Sequence, residues 1–241
     1  MAQALRQLLG IATNRPLFDE GENLESTSFL FGGCMIEVEK KFKLEGSFFE
    51  KILREGIFLK QKKFHDTYYD THDWKYTVQN KWLRNRDSKF ELKVAVEQAR
   101  GTIDRYDEIT DPMTILEALG LPLGPSISKA LEESGIVPFC SFSTDRRKYQ
   151  LGEFTIDVDR ATFNDLSYAV AEIEILVQDV TRISDAENKI IRFLENESVD
   201  WRATVYGKLS YFLRHINPSH FRALVNARVI RENESEFYAT N

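Results

Sequence analysis

The sequence predicts an α+β fold: a closed eight-stranded antiparallel β-barrel, or tunnel, with helices packed on the outside. Three observations carry this. Eight segments have strand periodicity, several are joined by links short enough for hairpins, and most carry charged residues on one face with apolar residues on the other. Eight antiparallel strands close into a small barrel able to hold one ligand. The chain's 241 residues suit one domain of this kind.

The first 34 residues are set apart as an N-terminal extension, with the folded domain expected over 35–241. Up to Phe18 the extension holds Arg6 and Arg15 and no acid, and Leu5, Leu8 and Leu9 would share a helical face. Those features resemble a mitochondrial targeting segment, although a variable extension is the preferred reading. From Met35 to Phe42 the alternation is strict, with Ile36, Val38 and Phe42 opposite Glu37, Glu39 and Lys41. A helix follows, with Ser47–Glu50 as a capping box and Gly56 at its exit.

Further strands are expected at His65–Asp70, Val78–Arg86, Lys89–Val96 and Thr102–Thr110, with a hairpin across Asp87-Ser88. Asp111-Pro112 opens a short helix that stops at Gly120, and another runs from about Ser126 to Glu133. Strands Phe139–Leu151, Glu153–Arg160 and Ser167–Val177 complete the set, with a tight turn at Gly152. A second capping box, Ser184–Glu187, starts a helix carrying Ile190, Ile191 and Leu194. A last helix over Val205–Ile216 halts before Pro218, and a polar tail follows.

Composition excludes several classes. A net charge of -6 disfavours a nucleic-acid partner. Two cysteines, Cys34 and Cys140, make no disulfide framework and point to a reducing compartment, and four histidines without H-E-x-x-H disfavour zinc. No apolar run is long enough for a membrane helix. The expected protein is a cytoplasmic monomer, or a mitochondrial one if the extension is a transit segment.

Residues two apart in a strand share a face. Trp82, Arg84 and Arg86 therefore lie together, as do Glu91 and Lys93, Tyr106 and Glu108, Arg146 and Lys148, Asp157 and Asp159, and Glu172 and Glu174. A face exposed to water normally mixes serine, threonine and glutamine with lysine, whereas carboxylates, arginines and lysines dominate here. Paired carboxylates about 7 Å apart repel unless cations lie between them. Converging acid pairs would suit a hard cation such as Mg²⁺ or Mn²⁺, and the basic residues would cage phosphate oxygens. A wet bore with the apolar face turned outward accommodates both.

The motifs E-x-E-x-K (Glu37–Lys41), D-T-Y-Y-D (Asp66–Asp70), W-L-R-x-R (Trp82–Arg86), F-E-L-K (Phe90–Lys93), Ile156–Asp159 and Y-A-V-x-E-x-E (Tyr168–Glu174) occur in that order. Together they resemble the CYTH superfamily of triphosphate tunnel metalloenzymes, and within it the branch that hydrolyses thiamine triphosphate. The resemblance implies a metal-dependent phosphohydrolase acting on a small-molecule triphosphate. It implies phosphate binding by Lys41, Arg84, Arg86, Arg146 and Lys208, and an aromatic platform at Trp82 for a thiazole ring. Lys93 and Tyr68 would position water. Metal binding would fall to Glu37, Glu39, Asp157, Glu172 and Glu174, with Asp159 and Glu108 in support. Lys148 has no counterpart, and it and Arg147 are expected at the surface. The alternatives are an inorganic tripolyphosphatase of the same fold and a non-catalytic polyphosphate-binding module.

Overall fold

The computed structural model describes residues 35–44, 46–96, 103–124 and 126–232. The expectations for the N-terminal extension and for Cys34 lie outside the described residues. Eight strands form one closed antiparallel barrel: β1 (Ile36–Phe42), β2 (Ile57–Asp70), β3 (Lys81–Arg86), β4 (Lys89–Ala95), β5 (Asp104–Ile109), β6 (Val137–Leu151), β7 (Phe154–Phe163) and β8 (Leu166–Val177). Around the ring the order is β1-β5-β4-β3-β2-β6-β7-β8. The expected α+β barrel is present. The hairpin at Asp87-Ser88 turns through two left-handed residues (φ 48° and 74°), and Gly152 (φ 62°) turns the β6–β7 hairpin.

The outer wall is apolar because the alternation puts it there. Val38, Ile156 and Ile173 of the barrel pack against Phe48 and Ile52 of α1 (Gly46–Glu55) and against Ile190 and Leu194 of α4 (Ile183–Asn196). Elsewhere Leu83 and Leu92 meet Ile115 and Leu119 of α2 (Pro112–Leu119) and Leu131 of α3 (Ile127–Glu133). The last two helices, α5 (Lys208–Ile216) and α6 (Pro218–Asn226), behave differently. Leu209, Phe212 and Leu213 pack against Tyr68, Cys140, Phe142 and Ala161. These strand residues share the bore-facing parity of Arg84, Arg146 and Asp159. One end of the bore is therefore apolar and α5 covers it.

Several local expectations are corrected. Strand β2 starts at Ile57 rather than His65, and its first seven residues are all exposed, so burial imposes no period-two pattern on them. Neither capping box forms: Ser47 and Ser184 lie inside their helices, and Arg182 stands at the start of α4 with no side-chain cap. Glu187 instead pairs with Arg105. The expectation holds at α2, where the Asp111 carboxylate accepts from Thr114 N at 2.8 Å. Pro218 does not end the helical region. It occupies the first turn of α6, where no amide donor is needed, and the Asn217 side chain accepts from His220 N at 3.1 Å.

Ile190 of α4 is fully buried against the barrel wall. Ile190→Ala should lower the unfolding free energy in a urea titration by about 2–5 kcal/mol, whereas a loss under about 0.5 kcal/mol would contradict packing of this helix as the outer half of the core.

Candidate active site

Inside the barrel, each strand delivers charge in the alternating register read from the sequence, and the charges sort into three clusters. On β1, β4 and β5, the Lys41 ammonium lies 2.6 Å from Glu39 and 2.7 Å from Asp104. Lys93 contacts Glu37 and sits 3.6 Å from Glu39. On β2 to β5, Arg84 reaches Glu91 at 2.6 Å and Glu108 at 3.0 Å. Arg86 forks onto Asp66 with contacts of 2.7 and 2.9 Å.

The third cluster spans β6, β7, β8 and the start of α5. Arg146 forks onto Asp159 at 2.7 and 2.6 Å, touches Asp157, and reaches Glu172 at 3.1 Å. Lys208, the first residue of α5, contacts Asp159 and lies 3.9 Å from Glu172. Lys148 reaches Glu174 at 2.9 Å and Asp157 at 3.1 Å. The Phe64 ring links the second and third clusters, with the guanidinium carbons of Arg86 and Arg146 4.1 and 5.6 Å from its centroid.

A cavity of ≈ 240 Å³ opens among these groups. Lys41, Arg84, Arg86, Lys93, Arg146 and Lys208 all line it, as do Glu37, Glu39, Glu108 and Glu172, so most predicted site residues are brought together. Trp82, Tyr106 and Tyr68 add aromatic surface, and the chain from Thr204 to Ser210 and from Arg228 to Arg231 closes the opposite side. Gly207 matters here: a Cβ at this position would stand 3.1 Å from Lys41 Cε, so a side chain would crowd the Lys41 stem.

The carboxylates expected to hold a metal are each paired with a lysine or arginine. Among the described residues, no three acids, histidines or cysteines are gathered as a ready metal site, because each carboxylate is drawn to a lysine or arginine. Asp159 and Glu108 are occupied by Arg146, Lys208 and Arg84, and Asp157, Asp159 and Glu174 stand outside the set that lines the cavity. Two observations nonetheless fit a hard cation. Both Asp157 oxygens are within ion-pair range of Arg146 and Lys148, yet neither contact has hydrogen-bond geometry, which leaves a fully buried carboxylate unsatisfied. Burial, then the neighbouring Asp157, push the Glu174 carboxyl up to about 8, with Glu37 adding to the repulsion. An all-oxygen set of Glu37, Glu39, Asp157, Glu172 and Glu174 suits Mg²⁺ or Mn²⁺ in chemical type.

Burial loosens the Lys93 proton, but Glu37, Glu39 and Glu108 outweigh it and hold Lys93 well above the ordinary lysine value. Burial, then Asp66, raise the Tyr68 phenol. Both groups therefore carry their protons at neutral pH and serve as donors.

Sequence reasoning missed Lys148, set aside as a surface residue, and Asp104, whose parity with Tyr106 and Glu108 was the available signal. Arg147 is exposed, as expected. Lys208 is nearly buried, whereas a lysine on a terminal helix usually meets solvent; only the resemblance marked it.

Comparison with known proteins agrees with this architecture. The CYTH domain model matches residues 35–200. Thiamine-triphosphatase of Homo sapiens is 32% identical over 222 residues, covering 84% of this chain and 94% of that protein. Thiamine-triphosphatase of Macaca fascicularis is 32% identical over 208 residues, covering 79% and 90%. Among solved structures, the PH1819 protein of Pyrococcus horikoshii OT3 superposes with a TM-score of 0.51 at 21% identity, covering 74% of this chain and 98% of that one, a likeness of fold. With its family model spanning all eight strands of the barrel and relatives of this identity over most of its length, the chain belongs to the CYTH family.

Proposed function

We propose that this chain is a divalent-metal-dependent phosphohydrolase that cleaves the terminal phosphoanhydride of thiamine triphosphate, releasing thiamine diphosphate and phosphate. The observation that carries the reading is one cavity on which Lys41, Arg84, Arg86, Lys93, Arg146 and Lys208 from β1, β3, β4, β6 and α5 converge, with Trp82 also lining it. The likeness to proteins named thiamine-triphosphatase supports the same substrate.

Lys41, Arg84, Arg86, Arg146 and Lys208 bind the phosphate chain. Their present carboxylate partners hold them extended into the bore, so little side-chain freedom is lost when phosphate oxygens arrive. A bound Mg²⁺ or Mn²⁺ supplies Lewis-acid neutralisation of phosphate oxygens, held by carboxylates drawn from Glu37, Glu39, Asp157, Glu172 and Glu174. Lys93 and Tyr68, both protonated, donate hydrogen bonds that orient the attacking water and the oxygens it approaches. A loose phosphoryl-transfer transition state needs positioning and charge neutralisation more than a strong base, which suits donors of this kind. Trp82 offers its indole to the thiazolium of the substrate. The acid-rich bore favours catalysis over a passive polyphosphate-binding module, which needs no such carboxylates. The second reading, an inorganic tripolyphosphatase, uses the same cage without Trp82. The substrate is a small molecule, and the reading involves neither nucleic acid nor membrane; among the described residues no helix is long and apolar enough to cross a bilayer.

Glu174→Gln should separate function from stability. Phosphate release at saturating Mg²⁺ should fall by about 10²-fold or more, the scale of losing one electrostatic element of a phosphoryl-transfer site. In metal-free buffer the same variant should be more stable than the unaltered chain near pH 8.5, with a smaller gain near pH 5. The unaltered Glu174 loses stability as pH rises above its ordinary value towards about 8, and glutamine does not titrate. Full activity, or a pH-independent difference in melting temperature, would contradict this role. Trp82→Ala should raise KM for thiamine triphosphate by about 2- to 30-fold, the range of one cation–π contact, with little change for tripolyphosphate. Equal losses on both substrates would remove thiamine from the reading.

A further inference from the structure

Between β2 and β3 the chain makes a 3₁₀ turn over Thr77–Gln79 that ends at Asn80 in the left-handed conformation (φ 57°, ψ 40°). Asparagine tolerates that backbone, and glycine does so more readily. The Asn80 amide donates to Thr77 O at 3.0 Å, and its carbonyl accepts from Ala95 N at 3.2 Å, so the residue is anchored from both sides. Its side chain has no part in this anchoring. The side-chain oxygen of Asn80 instead accepts from the Trp82 indole N–H at 2.7 Å and from the Tyr106 hydroxyl at 3.3 Å.

One oxygen thus ties an aromatic residue of β3 to one of β5, across the intervening β4. Both rings border the cavity, and the Lys93 ammonium lies 5.5 Å from the Tyr106 ring centroid. Without this acceptor the indole could swing about its side-chain torsions, and the Trp82 N–H and the Tyr106 hydroxyl would each lose a partner. Glycine would satisfy the backbone here equally well, so the side-chain carbonyl is what an asparagine adds. We infer that Asn80 is a positioning residue for selectivity: it fixes the Trp82–Tyr106 pair in one orientation and so favours triphosphates that carry a flat cationic ring over the bare inorganic chain. The inference rests on the substrate reading above.

The test compares thiamine triphosphate with tripolyphosphate in the unaltered chain, Asn80→Gly, Asn80→Asp, Trp82→Phe and the double variant Asn80→Gly/Trp82→Phe. Asn80→Gly keeps the left-handed backbone and removes the acceptor, whereas Asn80→Asp keeps an acceptor oxygen. Asn80→Gly should raise KM for thiamine triphosphate by about fivefold, the scale of one hydrogen bond, with kcat retained and tripolyphosphate little affected. Asn80→Asp should restore the selectivity. Adding Asn80→Gly to Trp82→Phe, which already lacks the indole donor, should cost less than Asn80→Gly alone. Equal losses on both substrates, failure of Asn80→Asp to restore selectivity, or additive effects with Trp82→Phe would overturn the inference. An unaltered chain that prefers tripolyphosphate would instead contradict the substrate reading. The aromatic tie is then judged from the part of the near-ultraviolet circular dichroism that Trp82→Phe removes, which Asn80→Gly must weaken if the tie exists.

Discussion

The ion pairing between inward-facing carboxylates and inward-facing lysines and arginines is the interaction on which the rest of the structure depends. A two-residue strand period sends every second side chain into the bore, and closure of the barrel denies most of them free access to water. Arg146 shows the result: from β6 its guanidinium meets Asp157 and Asp159 on β7 and Glu172 on β8 at once. Removing one member would leave the others buried and unanswered, at a cost far above that of a surface pair. The apolar outer wall follows from the same alternation, since charge turned inward leaves Val38, Leu83, Ile156 and Ile173 to be covered by helices.

The balance inside is uneven, and that unevenness connects fold to chemistry. The carboxylates named on the wall outnumber the cations. The surplus collects around Glu174, Asp157 and Glu37, where burial and mutual repulsion raise the Glu174 carboxyl and leave Asp157 unsatisfied. A divalent cation would relieve this strain, and a triphosphate would take over the lysines and arginines now held by acids. The two ligands therefore complement each other as well as the wall. Helix α5 adds polarity to the site along its axis: Leu209 and Phe212 cover an apolar end of the bore, while Lys208 one residue earlier reaches its charged part.

Much of this was legible in the sequence because charge and period coincide. Glu37, Glu39 and Lys41 on β1, Arg84 and Arg86 on β3, and Glu172 and Glu174 on β8 each follow from a two-residue spacing that fixes a face. Where the period is absent the reading failed. Residues 57–63 of β2 are exposed on both faces and carry no alternation, so half of that strand was missed. Lys148 shared the face of Arg146 but lacked a counterpart in the resembled motifs, and the motif outweighed parity that was correct. The protonation of Lys93 needed distances: its neighbours along β4 say nothing of Glu37 and Glu39, which β1 brings across the bore. Asn80 was equally hidden, since a left-handed asparagine reads as a turn residue until both aromatic partners are in place.

The central claim is that carboxylates and cations on this wall form one coupled site in which metal and triphosphate relieve each other's unmatched charge. Calorimetric titration of Mn²⁺ into the protein, alone and saturated with a non-hydrolysable triphosphate analogue, tests it directly, with the analogue's own Mn²⁺ binding subtracted. Linkage requires any coupling to be reciprocal. The account predicts that Mn²⁺ binds at least about tenfold more tightly when the analogue is present, a coupling of about 1.4 kcal/mol. Equal Mn²⁺ affinity in the two titrations would contradict it.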